Sequence, residues 1–328
     1  MTRLADALER ANRAPDPVPQ PAAPAAVLQG PTPAPAHPPA PAHTPGHSQP
    51  HARRLQPAAI VAARHNAPAP AHVTGTPLLA MPEPGHQNTA WRSDPQLVGK
   101  LVGTDGFSGA ALEQYRKLAA TLHHAQGERG IRVIMTASAL PGEGKSLTAV
   151  NLALTLSESY HKRVLLADAD LRRPTVQRVF GLPPIGGLNE GLKLSEDRAM
   201  AVTQISDRLF VLPAGRPEAD PMSGLTSDRM RRLVTQAAAA FDWVIVDTPP
   251  VGLLPDASLL ADFVDGVLLV VRAGKAPFAL VKRTVEAITH DRILGVVMNA
   301  VDYAHDRNAG GYYEYYGYGY YTGTPGQK

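Results

Sequence analysis

The 328-residue chain has no cysteine at all. That excludes a disulfide framework, a thiolate metal site and a cysteine nucleophile. It is compatible with a reducing cytoplasm. No apolar run approaches the roughly 20 residues of a membrane span, and no hydrophobic leader core follows Met1. Aromatic residues are sparse, at 5%. A formal charge of +3 is too small to indicate a nucleic-acid partner.

Proline is abundant but unevenly placed: 20 of 32 prolines lie in the first 95 residues. The composition therefore divides the chain into a Pro/Ala/His-rich tether over 1–95, an α/β domain over 96–303, and a Tyr/Gly-rich tail over 304–328. Within the tether, Leu4, Ala7, Leu8 and Ala11 make a short amphipathic stripe, either a frayed terminus or a peptide that folds on a partner. The remainder, from Ala14 to about Asp94, is expected to be disordered and partly extended. Its seven histidines, from His37 to His86, are irregularly spaced and lack accompanying carboxylates or thiolates, which argues against a metal site.

The domain is organised around Ala139-Leu140-Pro141-Gly142-Glu143-Gly144-Lys145-Ser146-Leu147. A short apolar strand, Ile131 to Met135, precedes it, and a helix from Ser146 to Ser159 follows. Strand, Gly-rich turn and helix form the context of a phosphate-binding loop. Free amides at the helix start favour a polyphosphate there. Lys145 is placed to reach its β/γ-phosphates and Ser146 to ligate Mg²⁺. Gly142 and Gly144 permit backbone angles that a β-carbon hinders. The first glycine of the G-x-x-x-x-G-K-[ST] pattern is Ala139 here.

Two further apolar strands end in carboxylates. Arg163 to Ala167 leads to Asp168 and Asp170, then Leu171-Arg172-Arg173-Pro174; Phe241 to Val246 leads to Asp247. In an open parallel sheet ligands sit at the carboxyl ends of strands, so these carboxylates are expected beside the phosphates and metal. Gly266–Val271 and Ile293–Asn299 read as two more buried strands around a helix at Phe278–Thr289. Leu209–Leu212 is a short strand, Ser227–Ala240 a helix, and 181–197 irregular. Asn299, at a strand end, is either a base reader or a turn residue. Alternation of strands and helices predicts a mainly parallel sheet covered on both faces, of the P-loop NTPase type.

A helix over Ala110–His124 carries Glu113 and Arg116 on one face, as a surface ion pair or a subunit contact. The tail holds seven of the ten tyrosines: Tyr312, Tyr313, Tyr315, Tyr316, Tyr318, Tyr320 and Tyr321. They form either an adhesive low-complexity segment or a set of phosphorylatable hydroxyls.

Taken in series, A-L-P-G-E-G-K-S, V-L-L-A-D-A-D-L-R-R-P and W-V-I-V-D-T-P-P, with E-Q-Y-R and the tyrosine cluster, resemble the bacterial tyrosine kinases of capsule and exopolysaccharide biosynthesis. The likeness covers about Leu112 to Tyr321. It implies Mg·ATP as cofactor, autophosphorylation of the tail tyrosines between subunits, and Glu113 and Arg116 at an oligomer interface. It places Gly142, Glu143, Gly144, Lys145, Ser146 and Leu147 around the nucleotide. Asp168 becomes the base or orienter of the tyrosine hydroxyl, with Asp170, Asp247 and Ser146 on the metal. It also implies a cytoplasmic kinase recruited to the inner membrane face by a separate chain-length-regulator protein.

Two positions depart from the family pattern. Ala119 stands at the last basic position of E-x-x-R-x-x-R, and Asp220 to Leu225 lacks the Glu of N-P-x-E-L-L. The alternatives are a nucleotide-gated partition or septum-site ATPase, whose signature Lys is Leu140 here, and a non-catalytic scaffold for a polysaccharide complex.

Overall fold

The computed structural model describes residues 76–82, 94–183, 186–194, 198–252 and 256–301. The amphipathic N-terminal peptide, most of the tether and the tyrosine cluster lie outside the described residues.

A seven-stranded sheet forms the centre. In chain order the strands are β1 (Leu79–Ala80), β2 (Val133–Ser138), β3 (Val164–Asp168), β4 (Met200–Ala201), β5 (Thr203–Gln204), β6 (Leu209–Leu212), β7 (Trp243–Asp247), β8 (Gly266–Arg272) and β9 (Ile293–Asn299). The order across the large sheet is β5-β6-β3-β7-β2-β8-β9. All its neighbours are parallel except the short edge pair β5 and β6. Every residue of β2, β3 and β7 is buried, which explains why these strands read as continuous apolar runs.

Side chains alternate across the sheet. Ile134, Leu166 and Ile245 face one way, against α1 (Gly109–Arg129) and α2 (Lys145–Glu158). Met135, Leu165 and Val246 face the other way, against helix Asp228–Ala240. Helix Phe278–Ile288 covers Leu269 and Val271 on that second side. Helix ends carry local signals. Ser227 Oγ accepts Met230 N–H at 3.2 Å, and α1 stops where Gly130 turns left-handed at φ 71°.

Two sequence expectations change. The domain boundary expected at residue 96 lies too late, because Thr76–Pro82 belongs to the domain. Leu78 is buried, β1 pairs in parallel with β4, and Gln236 grips both Leu78 N–H (2.7 Å) and Thr76 C=O (3.2 Å). A two-residue strand has no periodicity of its own; its partners lie more than a hundred residues away. The stretch 181–197, read as irregular, contains a short helix, Leu188–Lys193. The Glu190 carboxylate secures it by accepting from Gly187 N–H (3.1 Å) and Arg216 N–H (3.0 Å).

Candidate active site

The three motif strands lie side by side, so their ends share one rim. Register pairs Thr136 with Asp247 and Asp168 with Asp247. Ala169 N–H donates to Asp247 C=O at 2.7 Å, tying the second and third motifs together. The loop after β2 turns through Gly142 (φ 74°) and Gly144 (φ 93°) and starts α2 at Lys145.

Lys145 Nζ lies 2.7 Å from Asp247 Oδ1, 4.0 Å from Asp170 Oδ2 and 3.2 Å from Ser146 Oγ. Thr136 Oγ1 also donates to Asp247 Oδ1, at 3.3 Å. The other oxygen, Asp247 Oδ2, is buried with no hydrogen-bond partner. A buried carboxylate oxygen left unpaired is costly, and it suits a hydrated cation.

A cavity of about 550 Å³ opens over this rim. One wall is the loop itself, including Gly142, Gly144, Lys145, Ser146 and Leu147; the other includes Asp170, Arg173 and Thr175, with Pro249 and Pro250 at the edge. Among the described residues no group of three His, Asp or Glu side chains is set to hold a metal alone. The fit is instead that of Mg²⁺, which takes few protein ligands and completes its shell with phosphate oxygens and water. Of the three residues expected to hold it, Ser146 and Asp247 would do so, with Asp170 on the cavity wall beside them.

Asp168 is the exception among the expected site residues. It is fully buried and does not line the cavity. Its Oδ1 accepts Asp170 N–H (3.1 Å), and its Oδ2 accepts Thr175 N–H (3.0 Å) and Val176 N–H (2.9 Å). The role of meeting the tyrosine hydroxyl does not fit that position: Asp168 organises the turn that carries Asp170. Burial, then the nearby Asp247 charge, push the Asp168 carboxyl up to about 7. Burial also raises Asp170, against the opposing pull of Lys145.

Glu143 does not point at the cavity. It is buried under the loop, with Oε2 accepting Leu140 N–H at 2.7 Å and Oε1 accepting Arg272 N–H at 3.3 Å. Arg173, Thr175, Pro249 and Pro250 were missed as site residues, although Thr175 directly follows the second motif and the other three lie within the second and third. Lys275, whose Nζ donates to Pro141 C=O at 2.7 Å, carried no sequence signal.

Glu113 and Arg116 pair at 2.7 Å on the exposed face of α1. Ala119, on the same helix, is fully buried. That position faces the core, so the departure from E-x-x-R-x-x-R removes no charge from the exposed surface.

The family model described as ParA: NUBPL iron-transfer P-loop NTPase matches residues 131–322. Iron carried on thiolates has no donors in a chain without cysteine. The tyrosine-protein kinase YwqD of Bacillus subtilis is 38% identical over 190 residues, covering 57% of this chain and 80% of its own. The succinoglycan biosynthesis transport protein ExoP of Rhizobium meliloti is 38% identical over 180 residues, 52% of this chain but 22% of that protein. The kinase domain of the Escherichia coli tyrosine kinase ETK superposes with a TM-score of 0.56 at 30% identity, covering 60% of this chain and 78% of that domain. With its three motifs meeting at one rim of a parallel sheet, the chain belongs to the bacterial tyrosine kinases, built on the ParA-type P-loop NTPase fold.

Proposed function

We propose that the protein is an ATP-dependent tyrosine autokinase that phosphorylates its own C-terminal cluster, Tyr312 to Tyr321, between copies of the chain. The observation that carries the reading is the Lys145 ammonium, 2.7 Å from Asp247 and 4.0 Å from Asp170, on the wall of the loop-lined cavity.

In the mechanism, the amides of Gly144, Lys145 and Ser146 orient the polyphosphate, and Lys145 neutralises charge on its oxygens. Magnesium supplies charge neutralisation on the β- and γ-phosphoryl oxygens when bound. Ser146 and Asp247 would hold it, the buried Asp247 Oδ2 having no hydrogen-bond partner within the protein. A tyrosine hydroxyl ordinarily ionises near pH ~10 and needs a carboxylate to orient it or take its proton. Asp170 is that carboxylate, because it lines the cavity and burial raises its proton affinity. The phenolic oxygen bonds to the γ-phosphorus, the bond to the bridging oxygen breaks, ADP leaves, and the phenolic proton passes to Asp170.

The names of the relatives support a setting in capsule or exopolysaccharide biosynthesis. No described helix is long and apolar enough to cross a membrane. We place the kinase at the inner membrane face, brought there by a membrane chain-length regulator that binds the N-terminal peptide, and assembled as a homo-oligomer through Glu113 and Arg116.

The test is incubation of purified protein with Mg·ATP, followed by mass spectrometry of the tail. Wild type acquires phosphate on the cluster, while Lys145→Met and a chain with all seven tail tyrosines changed to Phe do not. Self-modification by Lys145→Met would remove Lys145 from the nucleotide site. ATP hydrolysis by a wild type whose tyrosines stay bare, with the membrane adaptor present, would reverse the kinase reading in favour of an ATPase switch.

A further inference from the structure

The phosphate loop is gripped on its outer side by residues that do not line the nucleotide cavity. Asn299, the last residue of β9, donates from Nδ2 to Glu143 C=O at 2.8 Å. Its amide lies against the bare face of Gly144: a β-carbon there would stand 1.9 Å from Asn299 Nδ2. The rest of Asn299 is fixed as well. Its Oδ1 accepts Ala300 N–H at 2.9 Å, and its backbone carbonyl accepts Ala273 N–H at 2.9 Å. Glu143 answers from below, its buried carboxylate joining Leu140 N–H to Arg272 N–H. Lys275 holds the neighbouring Pro141 C=O.

These contacts turn the carbonyls of Pro141 and Glu143 outward. A carbonyl swung inward would set its negative end against the phosphates in a site of low dielectric. Held outward, they leave the following N–H groups pointing at the ligand. By sequence alone Asn299 is a base reader or a turn residue. It does not line the cavity beside the loop, and its amide is spent on the loop backbone.

We infer that Asn299 is a positioning residue for the phosphate loop: with Glu143 it sets the backbone that receives the polyphosphate, without regard to the base. The inference rests on the reading of Gly142–Leu147 as the nucleotide site.

The test measures binding of Mg·tripolyphosphate, which has no base, and of Mg·ADP to the full chain by calorimetry. Wild type is compared with Asn299→Ala, Asn299→Asp and Glu143→Gln, and the thermal midpoint of each ligand-free protein is recorded. Asn299→Ala weakens both ligands by the same factor, about 2- to 10-fold for one lost, half-buried hydrogen bond. Asn299→Asp weakens both more, because a carboxylate replaces the donor facing Glu143 C=O. In the kinase assay KM for ATP rises while kcat is largely kept. Glu143→Gln shifts both ligands in the same direction and serves as the second variant should Asn299 substitutions fold poorly. Loss of ADP binding with tripolyphosphate binding intact would make Asn299 a base reader and overturn the inference. A lowered midpoint with both affinities unchanged would make Asn299 merely structural and overturn it equally. Failure of wild type itself to bind Mg·tripolyphosphate and Mg·ADP would instead bring down the nucleotide-site reading beneath it.

Discussion

Asp168 and Asp247 face each other across neighbouring strands, both fully buried, with one ammonium, Lys145, beside them. That arrangement makes the ligand-free protein sensitive to pH. The folded Asp168 carboxyl titrates at about 7, above its unfolded value of 3.8. The native state then binds more protons than the unfolded chain between these values. The associated stability is complete below pH ~4 and is lost as pH rises through ~7. With metal and nucleotide removed by chelator and dialysis, the melting midpoint contributed by this group falls from pH 5 to pH 8. Asp168→Asn should flatten that slope in thermal melts, at a general cost of about 1–2 kcal/mol, since its NH₂ faces Asp170 N–H where Oδ1 now accepts. A slope unchanged in Asp168→Asn would assign the effect to other groups. The two aspartates of the second motif are chemically alike in sequence. Their division, Asp168 inward under the turn and Asp170 on the cavity wall, follows from three backbone amides that only the folded turn brings to Asp168.

Elements differ in how much of their stability is local. Helix Asp228–Ala240 announces itself by Ser227, and Ser227→Ala should cost about 1 kcal/mol in chemical denaturation by freeing Met230 N–H. β1 is the opposite case. It is two residues long, and the hydrogen bonds that hold it reach Met200, Val202 and Gln236, far along the chain. Deleting residues 1–75 should leave the unfolding midpoint within about 1 °C of the full chain. Deleting 1–95 should lower it by several degrees. Leu78→Ala, which empties a buried site, is expected to destabilise by about 2 kcal/mol or more. Equal midpoints for the two deletions would return the boundary to residue 96. The helices of the domain were legible in the same graded way: α1 by apolar spacing, α2 by the Gly-Lys-Ser turn that opens it, Leu188–Lys193 hardly at all. Its six residues are too few to show a period, and the Glu190 carboxylate that secures it also reaches forward to Arg216.

The whole molecule poses the question of where the tail meets the site. The proposal that phosphate passes between copies is open to a mixing experiment. Lys145→Met protein with its seven tail tyrosines intact is combined with active protein whose tail tyrosines are Phe. Transfer between copies labels the Lys145→Met chain, at a rate that rises with concentration; transfer confined to one chain leaves it unlabelled. Reversing both charges, Glu113→Arg with Arg116→Glu, should leave monomer stability within about 0.5 kcal/mol, because the pair is exposed. If α1 is the subunit contact, single reversals should shift the oligomer mass in light scattering. An unchanged mass would leave this pair as a surface bridge only. Ala119 contributes to the core of the same helix, so its mutation belongs with folding rather than assembly.

Residue order alone determined the parallel α/β sheet, the phosphate loop and the carboxylates at the strand ends. Continuous apolar strands, a Gly-Lys-Ser turn and strand-terminal aspartates are local patterns, and a parallel sheet sends all such ends to one rim. Only the tertiary structure decided which aspartate faces the cavity, that Glu143 and Asn299 hold the loop from outside, and that Thr76–Pro82 belongs to the domain. Each of those depends on hydrogen bonds or burial against neighbouring elements, which spacing along the chain does not encode.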